Sequence, residues 1–164
     1  MGAKFASSVA GWTPVAHADG DSALADDSYH ALRTETISTL KIKGVIIGGE
    51  AAVSTVNRMA LRRLSTNAGV PVTVGPMPFS PFSVNQDSSI ADQYVAAFTG
   101  PTIALTRHLF DAAFNAFGGF IRWVAAPGAE IWATAGAAPN GEICLDSVSG
   151  TGVVSTTMVF EEIY

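Results

Sequence analysis

Three histidines and one cysteine come first among the side chains with which this chain could do acid–base, metal or nucleophilic chemistry: His17, His30, His108 and Cys144. Their spacing supports little of it. No two histidines stand four residues apart and no H-E-x-x-H helix is present, so a metal would have to gather three or four ligands from distant positions. Asp19-Gly20-Asp21 opens like a calcium loop, with Asp26-Asp27 to complement it, but the rest of the loop pattern does not follow. These aspartates read as a solvated acidic stretch, and His108, on an apolar segment, as a hydrogen-bonded or interface histidine.

Covalent chemistry needs a nucleophile beside a base, and no G-x-S-x-G elbow occurs. Cys144 falls mid-strand with Glu142 and Asp146 on its own face, and neighbouring carboxylates suppress a thiolate. Neither G-x-G-x-x-G nor the Walker pattern is present to cradle phosphate. Glu161 and Glu162 are adjacent in a strand, so they point to opposite faces and cannot act as an acid–base pair. Trp12, Trp123 and Trp132 could form a carbohydrate platform, but strand patterns around Trp123 and Trp132 favour packing. The residues therefore predict no enzyme, no metal and no cofactor.

Composition narrows the partners. The 164 residues carry only 14% charged side chains against 48% hydrophobic ones, with a net charge of −5. Globular chains average about 25% charged residues, so this surface is covered by Ser, Thr, Gly and small apolar groups instead. Only Arg58, Arg62 and Arg63 approach a basic cluster, which argues against nucleic acid as a partner. No stretch reaches the ~18 apolar residues of a membrane helix, and no membrane partner is expected. The run after Lys4 is broken by Ser7, Ser8, Gly11, Thr13 and Pro14, too polar for a signal-peptide core despite Ala16-His17-Ala18. The chain is expected to stay whole.

The elements that must position these residues are short and mostly extended. Residues 1–35 mix Ala, Ser, Gly and Asp without a sustained period, and set Lys4 and Arg33 against Asp19, Asp21, Asp26, Asp27 and Glu35. Such a segment cannot bury enough apolar surface to fold alone, so it is predicted to be an extended N-terminal arm docked on the body or on a neighbouring subunit. From residue 36 strand patterns dominate. Leu40 and Ile42 alternate with Lys41 and Lys43, and Val45-Ile46-Ile47 continues the strand to Gly48-Gly49. Residues 51–64 fit helix or strand, with β-branched content favouring strand, and Val70–Val74 is a short strand. The prolines within 75–88 predict a loop; Ser89-Ile90-Ala91-Asp92 resembles a capping box and predicts one short helix through Phe98.

Thr102–Phe110 fits strand or helix, while Phe120–Ala125 and Glu130–Thr134 flank a Pro127-Gly128 turn. Asn140-Gly141 predicts a type I′ hairpin leading into Glu142–Val148. Ser149-Gly150-Thr151-Gly152 predicts a tight turn, and Val154, Met158 and Phe160 share one face of the last strand, with Thr156 between. At least seven short strands split by turn residues predict a mainly β fold, a β-sandwich or jelly roll over residues 36–164.

Gly118-Gly119-Phe120-Ile121-Arg122-Trp123, then Pro127-Gly128-Ala129-Glu130-Ile131, then a strand ending Phe160-Glu161-Glu162 resembles small virion structural proteins of tailed bacteriophages. The likeness covers roughly residues 40–164. It implies a non-enzymatic decoration or cement subunit, made in the host cytoplasm and placed on the capsid exterior. Its implied partners are a capsid protein lattice and copies of itself in a homo-oligomer, a trimer being favoured. Phe5, Trp12, Val15, Trp123 and Trp132 are the residues expected at the assembly interface. A main coat subunit of a small virus and a tail-fibre or spike head binding host glycan are the other readings.

Overall fold

The run Leu40-Lys41-Ile42-Lys43 sends apolar and charged residues to opposite faces, and it opens a long strand in which Leu40 and Ile42 are fully buried. The structure is a computed structural model and describes residues 3–17, 29–34, 38–64, 77–78, 92–95, 103–134 and 142–163. Its strands are β1 (Ala3–Trp12), β2 (Tyr29–Arg33), β3 (Thr39–Gly49), β4 (Val56–Leu64), β5 (Met77–Pro78), β6 (Asp92–Val95), β7 (Ile103–Asn115), β8 (Phe120–Val124), β9 (Ile131–Ala133), β10 (Glu142–Ser149) and β11 (Val154–Ile163). One sheet, sheet A, runs β5-β1-β11-β3-β8, with β9 also paired to β3; the other, sheet B, runs β6-β2-β10-β4-β7. Every ladder is antiparallel. The chain is a β-sandwich.

β3 shows how local sequence sets the sheet. Its inward residues are Leu40 and Ile42, then Val45 and Ile47, so the alternation changes phase. The ladder with β11 shifts register there: Phe160 pairs with Ile42 and Val159 with Gly44, leaving Lys43 as the extra residue of a β-bulge. The bulge keeps both apolar pairs on the core face. It also sends Lys43 outward, where its ammonium meets Glu130 at 2.8 Å and Glu161 at 3.0 Å. In β11 the alternation is unbroken, with Val154, Thr156, Met158, Phe160 and Glu162 buried.

The core lies between the inner faces of the two sheets. Sheet A supplies Phe5, Val9, Trp12, Leu40, Ile42, Val45, Ile47, Met158 and Phe160, and sheet B supplies Leu32, Met59, Leu61, Ile143 and Leu145. Phe5 and Phe160 stack with centroids 5.8 Å apart. Each fully buried side chain of this size contributes about 1.5–3 kcal/mol.

Two expectations are corrected and one open reading is resolved. The expected arm is not one over its described strands: β1 lies inside sheet A between β5 and β11, and β2 lies inside sheet B between β6 and β10. Its strand signal was masked because the inward positions of β1 are Phe5, Ser7 and Val9, and those of β2 include His30. A polar residue at an inward position breaks the apolar alternation by which a strand is read. The expected short helix gives way, at Asp92–Val95, to strand β6 paired with β2. The ambiguous segment at Thr102–Phe110 is strand from Ile103 onward.

Turns place the rest. The Pro127-Gly128 turn joins two strands that both pair with β3. The turn at Ser149–Gly152 carries the chain from sheet B to sheet A, so it is a corner rather than a hairpin. The expected strand Val70–Val74 and the Asn140-Gly141 hairpin lie outside the described residues.

Candidate assembly surface

The residues with catalytic chemistry are placed where they hold the fold. Ser7 Oγ lies 2.7 Å from His30 Nε2, a distance suited to a nucleophile and its base. Both side chains are buried between the sheets, and the other ring nitrogen meets the Thr156 hydroxyl at 3.0 Å rather than a carboxylate. The Trp12 indole N–H donates to the same hydroxyl at 3.1 Å. Burial pushes His30 down from 6.5 to about 3, too weak a base for work near neutrality. This group is a polar bridge between β1, β2 and β11.

Cys144 is equally unsuited. Burial first, and then the Asp146 carboxylate, push its thiol well above the usual range, so it stays protonated. Around it Arg62 Nε and Asp146 Oδ1 form a buried ion pair at 3.1 Å, and Arg62 Nη2 donates to the His17 carbonyl at 3.1 Å. His108 is hydrogen-bonded, its Nδ1 2.8 Å from Asp111 Oδ2, and Arg58 grips that carboxylate through Nε and Nη2. Arg58 first, aided by His108, holds the Asp111 carboxyl below its ordinary value. No group of three His, Cys, Asp or Glu residues that could hold a metal occurs among the described residues. No helix among them is long and apolar enough to cross a membrane. A cleft on the outer face of sheet A, lined by Gly44, Ile46, Arg122, Val124 and Val159, measures about 210 Å³. That is below the ~300–1,000 Å³ usual for small-molecule sites.

The unusual surface is one end of the sandwich, where residues 49–57, 115–120 and 149–153 come together with Glu50 at the edge, bonded to Ser155. Ala51 N–H donates to the Ala116 carbonyl at 3.0 Å, Ala116 N–H to Thr55 O at 2.7 Å, and Gly49 N–H to Gly119 O at 2.8 Å. Asn57 clamps the third segment in both directions: its Nδ2 donates to Gly152 O at 2.7 Å, and its Oδ1 accepts from Gly152 N–H at 3.0 Å. Asn115 does the same locally, accepting from Phe117 N–H at 2.9 Å and donating to Ser54 Oγ at 2.8 Å. Glycine is obligatory at several positions here, Gly49 among them, where a Cβ would lie 2.3 Å from Ala116 O. A Cβ at Gly119 would lie 2.0 Å from Asn115 O, and one at Gly150, where φ is +87°, would lie 2.2 Å from Val56 O.

This tightly bonded end presents apolar side chains to water: Val53 is 68% exposed, Val56 64%, Phe117 57% and Phe120 64%. Residues 51–57, 112–121 and 147–160 contain no Asp, Glu, Lys, Arg or His. Down the adjoining side, end strands β7 and β8 close the sandwich with half-buried Leu109, Phe110, Phe114, Ile121 and Trp123. Phe110 and Trp123 meet across the sheets with centroids 5.7 Å apart. Exposed apolar groups on fixed loops are the geometry of a preformed docking surface.

No family model matches the chain, and no curated protein does. Among solved structures it is similar to an unassembled KI polyomavirus VP1 pentamer, at 9% identity over 98% of this chain and 94% of that one. The TM-score is 0.42, and at that value the likeness carries no functional argument.

The five residues expected at an interface are scattered. Phe5 and Trp12 are buried in this chain's own core and so are corrected from interface to core. Trp123 is half-buried beside Phe110, while Val15 is 44% and Trp132 42% exposed. The Lys41 ammonium stands 4.2 Å over the Trp132 ring, so that face of the indole is covered. Val53, Val56, Phe117 and Phe120 were missed as a group, although three long stretches without an ionisable residue were there to be read.

Proposed function

We propose that the chain is a non-enzymatic structural subunit of a virion, acting as a decoration or cement protein on the capsid exterior. The supporting observation is the rigid, uncharged end with Val53, Val56, Phe117 and Phe120 exposed, a surface that costs free energy in water and gains it when covered. The resemblance of residues 118–131 and 160–162 to small phage virion proteins supplies the setting, and His30, buried and weakly basic, and Cys144, buried and protonated, are unsuited to catalysis. Assembly as a homo-oligomer, a trimer in the favoured form, and attachment to a capsid lattice are the two ways to cover that surface.

The glycan-binding alternative is less well supported, because Trp12 is in the core and one face of Trp132 is occupied by Lys41. Co-sedimentation with phage capsids is the test. The chain should pellet with the shells, saturably with shell concentration, and stay in the supernatant when shells are left out. A chain that ignores capsids yet is retained by a glycan array, with retention lost on Trp132→Ala, would overturn this reading.

A further inference from the structure

Resting on the structural reading above, we propose that the uncharged end is where copies of this chain meet one another around a symmetry axis, rather than where the chain meets the shell. Near a rotation axis each residue faces its own counterpart, so a charged group there would oppose a like charge. On a chain of net charge −5, a surface free of that repulsion is one without ionisable residues. The three segments 51–57, 112–121 and 147–160 provide one, because none contains an ionisable residue.

Charges occupy the border of this surface. Glu50 bonds the Ser155 hydroxyl, Arg58 pairs with Asp111, and Arg122 stands two residues beyond Phe120 on the same face of β8. An apolar centre inside a polar rim is the anatomy of a specific protein interface. Phe117 and Phe120 together leave about 180–300 Å² of apolar surface in water, taking ~150–250 Å² for a whole aromatic side chain. The loops need little ordering on association, since Asn57, Asn115 and the close-packed Gly119 and Gly150 already fix them.

A bilayer is the other apolar partner such an end could meet. Surface-bound membrane segments draw on Lys and Arg to approach anionic headgroups, and these three segments offer none on a chain that is itself anionic. The composition favours a second copy.

Cysteine pairing reads out the arrangement, because Cys144 is buried and leaves a clean background. Phe117→Cys and, as a control at a distance from this end, Ala129→Cys are oxidised mildly at equal concentration, with circular dichroism to check that both fold. A disulfide-linked pair of copies with Phe117→Cys but not with Ala129→Cys is expected. If the chain still binds capsids and Phe117→Cys gives no linked pair, the symmetry-axis placement is overturned while the structural reading stands. If the folded wild-type chain stays monomeric and floats with phosphatidylcholine–phosphatidylserine vesicles, the end is a membrane anchor and the inference falls.

Discussion

The centre and the end of this sandwich invert the usual placement of polar and apolar groups. Between the sheets, Ser7, His30, Thr156 and the Trp12 indole form a hydrogen-bonded polar chain with no access to water. At the end, two phenylalanines and two valines stand in solvent on loops and strand ends whose backbone groups are bonded inward. Those four polar groups are bonded to one another within the chain; the apolar groups at the end have no such cover. A satisfied polar group is structural, whereas an uncovered apolar group on a fixed scaffold points to something outside the chain. The histidine is structural, and the proposed function lies at the surface, against the first impression that residue types alone give.

The largest effect should come from removing the strand that supports the centre. Deleting residues 1–12 takes away Phe5, Val9 and Trp12, each worth about 1.5–3 kcal/mol, together with the β1–β11 ladder. That rivals the ~5–15 kcal/mol net stability of a domain, so the truncated chain should show no cooperative thermal transition. A detachable arm would instead leave the melt intact.

Next in size is the bridge. His30→Ala leaves the buried Ser7 and Thr156 hydroxyls short of a partner and opens a cavity, and should cost roughly 2–4 kcal/mol in a urea titration. The bridge also gives stability a pH dependence. Below about pH 6.5 the unfolded chain takes a proton on His30 while the folded chain, with the group held at about 3, does not. Stability is therefore full above pH 6.5 and falls as the pH drops towards 3, by ~1.4 kcal/mol per pH unit. Asp111 and Glu130, held low mainly by Arg58 and Lys43 respectively, add their own losses in stronger acid. The difference between wild type and His30→Asn from about pH 6.5 to 5 isolates the imidazole, and parallel curves would contradict its burial as a neutral group.

Much of the sandwich was legible because its strands obey the period of two. Leu40 and Ile42 gave the strand that Val45-Ile46-Ile47 continues, though its change of phase showed only in the ladder with β11, and the last strand alternates from Val154 to Phe160. Opposite placement of Glu161 and Glu162 followed from the same rule. The first two strands were hidden because Ser7 and His30 face inward, and their compensation is a pairing across 23 residues that no local window contains. Phe5 and Trp12 were placed at an interface for the same reason: aromatic residues in a segment without a period look unhoused until their sheet is known. The apolar end was hidden differently. Val53, Phe117 and Gly150 are far apart in sequence, and only the turn from sheet B to sheet A brings their loops together. The missing charges in those stretches were visible, but their convergence was not.

The smallest effect on stability should accompany the largest effect on assembly. Phe117→Asp with Phe120→Asp alters exposed side chains only, and should move the unfolding free energy by no more than about 0.5 kcal/mol. Size-exclusion chromatography with light scattering, paired with thermal melts of the same samples, tests the central claim most directly. A multimeric wild type and a monomeric double variant with an unchanged melting temperature is the predicted result. A double variant that keeps the wild-type mass and still melts normally would show that the uncharged end is not where this protein assembles.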